Sequence, residues 1–137
     1  MNTLRLIKLA SELNIPVYDF KMQNKKAFCV ENSIAIDFDR MESDRECKAI
    51  LSEELGHVIC GAMYHIMYCC DKRLKPYIEK QETTARAYAA RLQVPLYELE
   101  AVYEVTKDDH KAADLLDVDV STLRQAAEYY RGKGLIA

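Results

Sequence analysis

The sequence predicts an α+β fold, a small early β-sheet or hairpin packed against a mainly helical remainder. Three observations predict it. Strand-like runs, rich in β-branched and aromatic residues, are grouped between residues 17 and 38. Elsewhere apolar residues recur every three or four positions, the spacing of one helix face. The order of helix, strands and then several helices argues α+β rather than an alternating α/β sheet. A chain of 137 residues, half apolar and 30% charged, suits one ordinary globular domain with one core. We expect a single domain over residues 1–137, with a helical C-terminal part from about residue 96.

The elements follow in order. Leu4, Leu6, Ile7, Ala10 and Leu13 recur at helical spacing, and Asn14 followed by Pro16 ends that helix. Residues 17–20 are a short strand candidate. Lys25–Val30 and Ser33–Phe38 are β-rich runs joined by Glu31-Asn32, which reads as a hairpin. From about Ser43 to Tyr68 the period is helical, with Cys47, Ile50, Leu51, Leu55, Val58, Ile59, Ala62 and Ile66 as the stripe. Asp71 to Lys75 reads as a loop. Pro76 opens a helix to about Gln93, because its missing N–H costs nothing in the first turn. Pro95 stops it, and Leu96–Glu104 continues as a short helix. Thr106 and Asp109 have capping-box spacing for a helix through about Leu116, and Ser121 is the expected cap of a last helix ending at Gly132.

Bulk properties exclude several functions. A net charge of −3 gives no support for non-specific binding to nucleic acid or anionic membranes. Five cysteines in scattered positions, with no Cys-x-x-Cys, read as reduced thiols rather than a disulfide framework. The N-terminal apolar residues are interrupted by Arg5, Lys8 and Glu12, unlike a signal peptide. No apolar run approaches membrane-spanning length. The expected location is the cytosol.

The chemistry concentrates at Glu53-Glu54-Leu55-Gly56-His57. Residues 53 and 57 are four apart and project from the same helix face. Such a pair can hold one metal ion, and the glutamate beside the first ligand can act as general base on a water activated by the ion. Glu54 falls in line with Cys47, Ile50 and Val58, where a carboxylate is costly to bury without a partner. Gly56 inside a helix costs about 1 kcal/mol relative to alanine, which suggests the close approach of another element. Glu82 is the best candidate for a third ligand. It aligns with Ile78, Ala85, Ala89 and Leu92, and the small alanines allow its helix to pack tightly near Gly56.

These residues resemble the ImmA/IrrE family of metallo-endopeptidases from phage and mobile elements. The family pattern is a His-Glu-Leu-Gly-His helix, then Glu-x-x-Ala-x-x-aromatic-Ala-x-x-Leu-x-x-Pro. Here the counterparts are Glu53-Glu54-Leu55-Gly56-His57 and the stretch from Glu82 through Ala85, Tyr88, Ala89 and Leu92 to Pro95. Asn32-Ser33-Ile34-Ala35-Ile36-Asp37 is similar to the strand that precedes the motif helix. The resemblance spans roughly residues 15 to 130. It implies a zinc-peptidase-like domain in which His57 and Glu82 are zinc ligands and Glu54 is the general base. It also implies a protein substrate or partner, a helix-turn-helix repressor that is cleaved or antagonised.

Glu53 departs from the family histidine, although phage-type relatives carry similar Glu-Glu-Leu-Gly-His motifs. Zn²⁺ accepts carboxylate oxygen, so Glu53 can ligate. Two carboxylates and one imidazole cancel the ion's charge, so bound water is acidified less than with two histidines and one carboxylate. Oxygen-rich ligation also tilts the site towards harder ions such as Mn²⁺. The expectation is weak or exchangeable metal. The alternative is an inactive peptidase-fold module that binds a repressor or toxin partner without cleavage.

Other residues stay open. Cys60, one turn beyond His57, can supply a thiolate in place of the missing histidine. His65 can line the same cleft or simply sit on the helix surface. His110, near a helix start, is an oxyanion-stabiliser candidate. Residues 112–123 hint at helix-turn-helix. Asp117 and Asp119 occupy its turn, however, and the last helix offers only Arg124 and Arg131, too little charge for phosphate contacts. A packing element or a partner-docking surface is the better reading.

Overall fold

The computed structural model describes residues 1–60, 73 and 75–137. Helix α1 (Thr3–Glu12) leads to strands β1 (Val17–Asp19), β2 (Ala27–Val30) and β3 (Ser33–Ile36) and a 3₁₀ turn at Phe38–Arg40. Helices α2 (Asp44–Ile59), α3 (Lys75–Gln93), α4 (Leu96–Val105), α5 (Asp109–Leu116) and α6 (Val120–Gly132) follow. The fold is therefore α+β, one three-stranded sheet and six α-helices among the described residues. None of these helices is long and apolar enough to cross a membrane.

Local chemistry sets the early elements. The Asn2 side chain accepts the Arg5 N–H at 2.9 Å and caps α1. Asn14 takes the left-handed conformation that ends it (φ 58°), and Ile15 N–H closes on the Ala10 carbonyl at 2.8 Å. The hairpin forms where expected, with Glu31 at φ 53° and Val30 opposite Ser33. The strand order is β1-β3-β2, with β1 parallel and β2 antiparallel to β3. The central strand buries Ile34 and Ile36 completely. Helices α1 and α2 cover that face with Leu6, Ala10, Leu51 and Leu55.

Among the described residues the buried side chains form two clusters, where the length suggested one core. The first is the sheet with α1 and α2. The second joins the end of α3 to α4, α5 and α6 through Val94, Leu99, Leu123, Ala126 and Tyr130. Helix α3 belongs to both: Leu92 packs on the first, while Ala90 and Val94 lie in the second.

Three local expectations change. Helix α2 ends at Ile59, where the Cys60 N–H caps the Gly56 carbonyl at 2.9 Å. The expected helix beyond it and the loop from Asp71 lie almost wholly outside the described residues. The cap of α5 is Asp108, not Thr106: its carboxylate accepts the N–H groups of His110 and Lys111 at 2.9 and 3.4 Å. Thr106 is the C-terminal cap of α4, and its hydroxyl accepts the Asp108 N–H at 3.1 Å. Ser121 does not cap α6, which starts two residues earlier than that cap implies, at Val120 with Asp119 at the cap. The left-handed turn at Asp117 (φ 53°) drops Val118 into the core and fixes that start.

Candidate metal centre

The site begins with the contact between α2 and α3. A Cβ added at Gly56 would lie 2.5 Å from the Ala85 backbone oxygen, closer than atoms can approach. Only glycine permits this approach, which accounts for its presence in a helix interior. Ala85 is fully buried and Ala89 nearly so. Glu82 lies one turn before Ala85, so the close packing carries its carboxylate to the His57 side of α2.

Glu53, His57 and Glu82 each offer one donor atom, and the three atoms lie within 4.8 Å of one another. His57 Nε2 is 3.7 Å from Glu82 Oε2, with both side chains mostly buried. Arg86, one turn along α3, approaches the same oxygen at 3.9 Å from solvent. Donors at about 2.0–2.2 Å from a tetrahedral zinc are roughly 3.3–3.6 Å apart. The His57–Glu82 spacing is already near that value, so small side-chain rotations suffice for both to hold one ion. One imidazole and two carboxylates are a donor set that zinc and manganese both accept. The residues fit a divalent cation.

Glu54 is partly buried, close to Cys29 of β2 and to the three clustered side chains. Burial pushes its carboxyl pKa up; the nearby His57 and a hydrogen bond with Cys29 on β2 oppose that shift, while the like charges of Glu53 and Glu82 add to it. Cys29 responds in kind. Burial, then the charge and hydrogen bond of Glu54, push its thiol up to about 12. It therefore stays protonated at neutral pH and is a donor rather than a nucleophile. Sequence reasoning missed this partner. The signal available was strand alternation, which sets Ala27 and Cys29 on one face of β2.

The remaining candidates fall elsewhere. Cys60 sits at the end of α2 and is not among the clustered donors of the described residues. Its thiol is pushed up by burial and drawn down by Arg91. Residue 60 is rotated by about 60° from residue 57 on a helix, away from the shared face. His110 is exposed at the start of α5, whereas α5 meets α2 through its other end, at Leu116 and Asp117. His65, Cys69 and Cys70 lie outside the described residues. Both arginines of the last helix are engaged internally, Arg124 with Asp109 at 3.1 Å and Arg131 with the Ala137 carbonyl at 3.0 Å. No family model, curated protein or solved structure matches this chain.

Proposed function

We propose that the chain is a metal-dependent endopeptidase of the ImmA/IrrE type, cytoplasmic and from a prophage or mobile element, acting on a helix-turn-helix repressor. The observation that supports this reading most is the convergence of Glu53, His57 and Glu82 from two helices, with Glu54 beside them. Glu53, His57 and Glu82 would hold the ion, zinc or manganese. Such an ion supplies Lewis acidity that polarises a peptide carbonyl and makes water a better nucleophile. Glu54 takes the proton from the attacking water and delivers it to the departing amine nitrogen. Its burial raises its basicity for the first step. The mostly buried setting of His57 and Glu82 limits bulk water and strengthens the charge interactions there.

The test joins metal analysis to cleavage. Purified protein is expected to bind added Zn²⁺ or Mn²⁺ at one per chain and to cut a repressor encoded beside it. Glu54→Gln is expected to keep the metal and lose at least about 10²-fold in rate. Protein that binds neither ion refutes the metal site. A second reading, capture of the partner without cleavage, is favoured by Glu53, which leaves the centre with no net charge. Stable repressor binding with no cleavage by the metal-loaded protein selects it.

A further inference from the structure

Beside His57 and Glu82 runs a groove that shares only Glu53 with the three donors. It lies between α2, α3 and α6 and has a cavity volume of about 180 Å³, room for a single side chain. Glu53 forms one end, Ala89 and Ala90 line its floor, and Arg86, Gln93, Thr122 and Gln125 supply its polar groups. Glu53 and Glu54 divide the neighbourhood. Glu53 lines the groove and Glu54 does not.

The polar lining carries the inference. Gln93 is only 5% exposed. Its backbone carbonyl accepts a hydrogen bond from the Met1 amino group at 3.0 Å, but its side-chain amide has no hydrogen-bond partner among the described residues. The amide tip opens on the groove, so only water or an occupant of the groove can pair with it. The Thr122 hydroxyl and Gln125 amide line the same space, also without partners among the described residues. Two amides and a hydroxyl offer donors and acceptors together. Formal charge in the groove cancels between Glu53 and Arg86. An occupant of either charge is attracted by one of these groups and repelled by the other, so neither sign is favoured, and an aliphatic occupant leaves the three polar groups without a partner.

We infer that this groove is a side-chain subsite that selects a neutral amide side chain, asparagine or glutamine, in the peptide bound across the site. As the subsite of a substrate it rests on the peptidase reading above; as a binding groove it stands on the unpaired polar lining. The occupant's amide pairs with Gln93 and Gln125, its stem lies on Ala89 and Ala90, and Thr122 takes the remaining position. A site built to hydrogen-bond an occupant discriminates strongly against an isostere lacking those groups.

Two measurements test it. The first titrates the ¹⁵N-labelled full chain with N-acetyl-glutamine N-methylamide, or with its leucine or glutamate counterpart. The side-chain NH₂ signals of Gln93 and Gln125 are expected to shift saturably with the glutamine compound, at about tenfold lower concentration than with the others. Gln125→Leu and Thr122→Val are expected to erase that difference while the backbone spectrum stays folded. Equal responses to all three compounds, or no response at Gln93 and Gln125, would overturn the subsite. The second is cleavage of a randomised peptide library by zinc-loaded protein, where asparagine or glutamine is expected beside the cut bond. Selective NMR shifts without any cleavage refute the peptidase reading and uphold the groove. Cleavage with an aliphatic preference, unchanged in Gln125→Leu, overturns the groove and upholds the peptidase.

Discussion

Glu53 sets the charge of the centre. With Glu53, His57 and Glu82 around a divalent ion the net charge is zero; a histidine at position 53 leaves +1. Glu53→His is expected to shift preference towards zinc over manganese by about tenfold or more, since imidazole suits zinc and carboxylate suits the harder ion. Competition titrations of the two ions against the wild type and the variant measure this. An unchanged zinc-to-manganese ratio would mean that Glu53 does not ligate. The clustering of these three side chains was legible in the sequence, because i, i+4 spacing on a helix is rigid and Gly56 marked the contact in advance. Cys29 was not legible, since pairing a strand thiol with a helix carboxylate depends on how β2 lies against α2. The groove was missed for a similar reason: Thr122 and Gln125 stand far along the chain and look like ordinary solvated polar residues.

Between elements, the decisive contact is α2 on α3. Gly56→Ala gains helix propensity of about 1 kcal/mol but forces a methyl into the Ala85 carbonyl, an overlap that costs about 1–3 kcal/mol or more. A backbone atom cannot rotate away, so the helices must separate. Net destabilisation of about 1–2 kcal/mol is expected, together with weaker metal binding, although no donor has changed. Equal metal affinity in denaturant-characterised Gly56→Ala would show that the two helices hold their donors independently. At the other end of the chain the start of α5 was misread, because Thr106, Asp108 and Asp109 are all competent caps within four residues. The structure selects Asp108, whose carboxyl is held below its ordinary value of 3.8 by the His110 and Lys111 N–H groups. A depressed folded-state pKa contributes stability that is present above the unfolded value and lost as pH falls through the folded one. Asp108→Asn keeps an acceptor at the cap and removes the titration. Its stability is therefore expected to fall less than that of the wild type as pH drops below about 4, read by thermal unfolding across pH. Parallel acid limbs would show that the cap contributes nothing measurable.

Across the whole molecule, α3 carries one side of the candidate metal site and part of both buried clusters. The two clusters are also tied by polar contacts from α2 to α5. Lys48, 2% exposed, donates to the Leu116 carbonyl at 3.2 Å, and Arg45 Nε reaches Asp117 at 3.0 Å. Within the second cluster, Tyr130 on α6 donates to the Val94 carbonyl beyond the end of α3 at 2.9 Å. These ties were invisible in the sequence, where composition suggested one core and periodicity gave the helices without their partners. They bear on how metal binding is felt at a distance. A ligand that binds only the folded state stabilises it by mass action, about 2.7 kcal/mol at a hundredfold excess over Kd. If α3 makes the clusters one cooperative unit, that stabilisation reaches α6, which supplies no donor. The amides of Leu123, Ala126 and Ala127, all fully buried, are then expected to exchange about 100-fold more slowly at saturating Zn²⁺, in step with those of Leu51 and Leu55. Slowing confined to α2 and α3, with α6 exchanging at its metal-free rate, would show instead that the C-terminal helices open as a separate unit. Partner binding at the groove would then be free to change the mobility of α6 without releasing the ion.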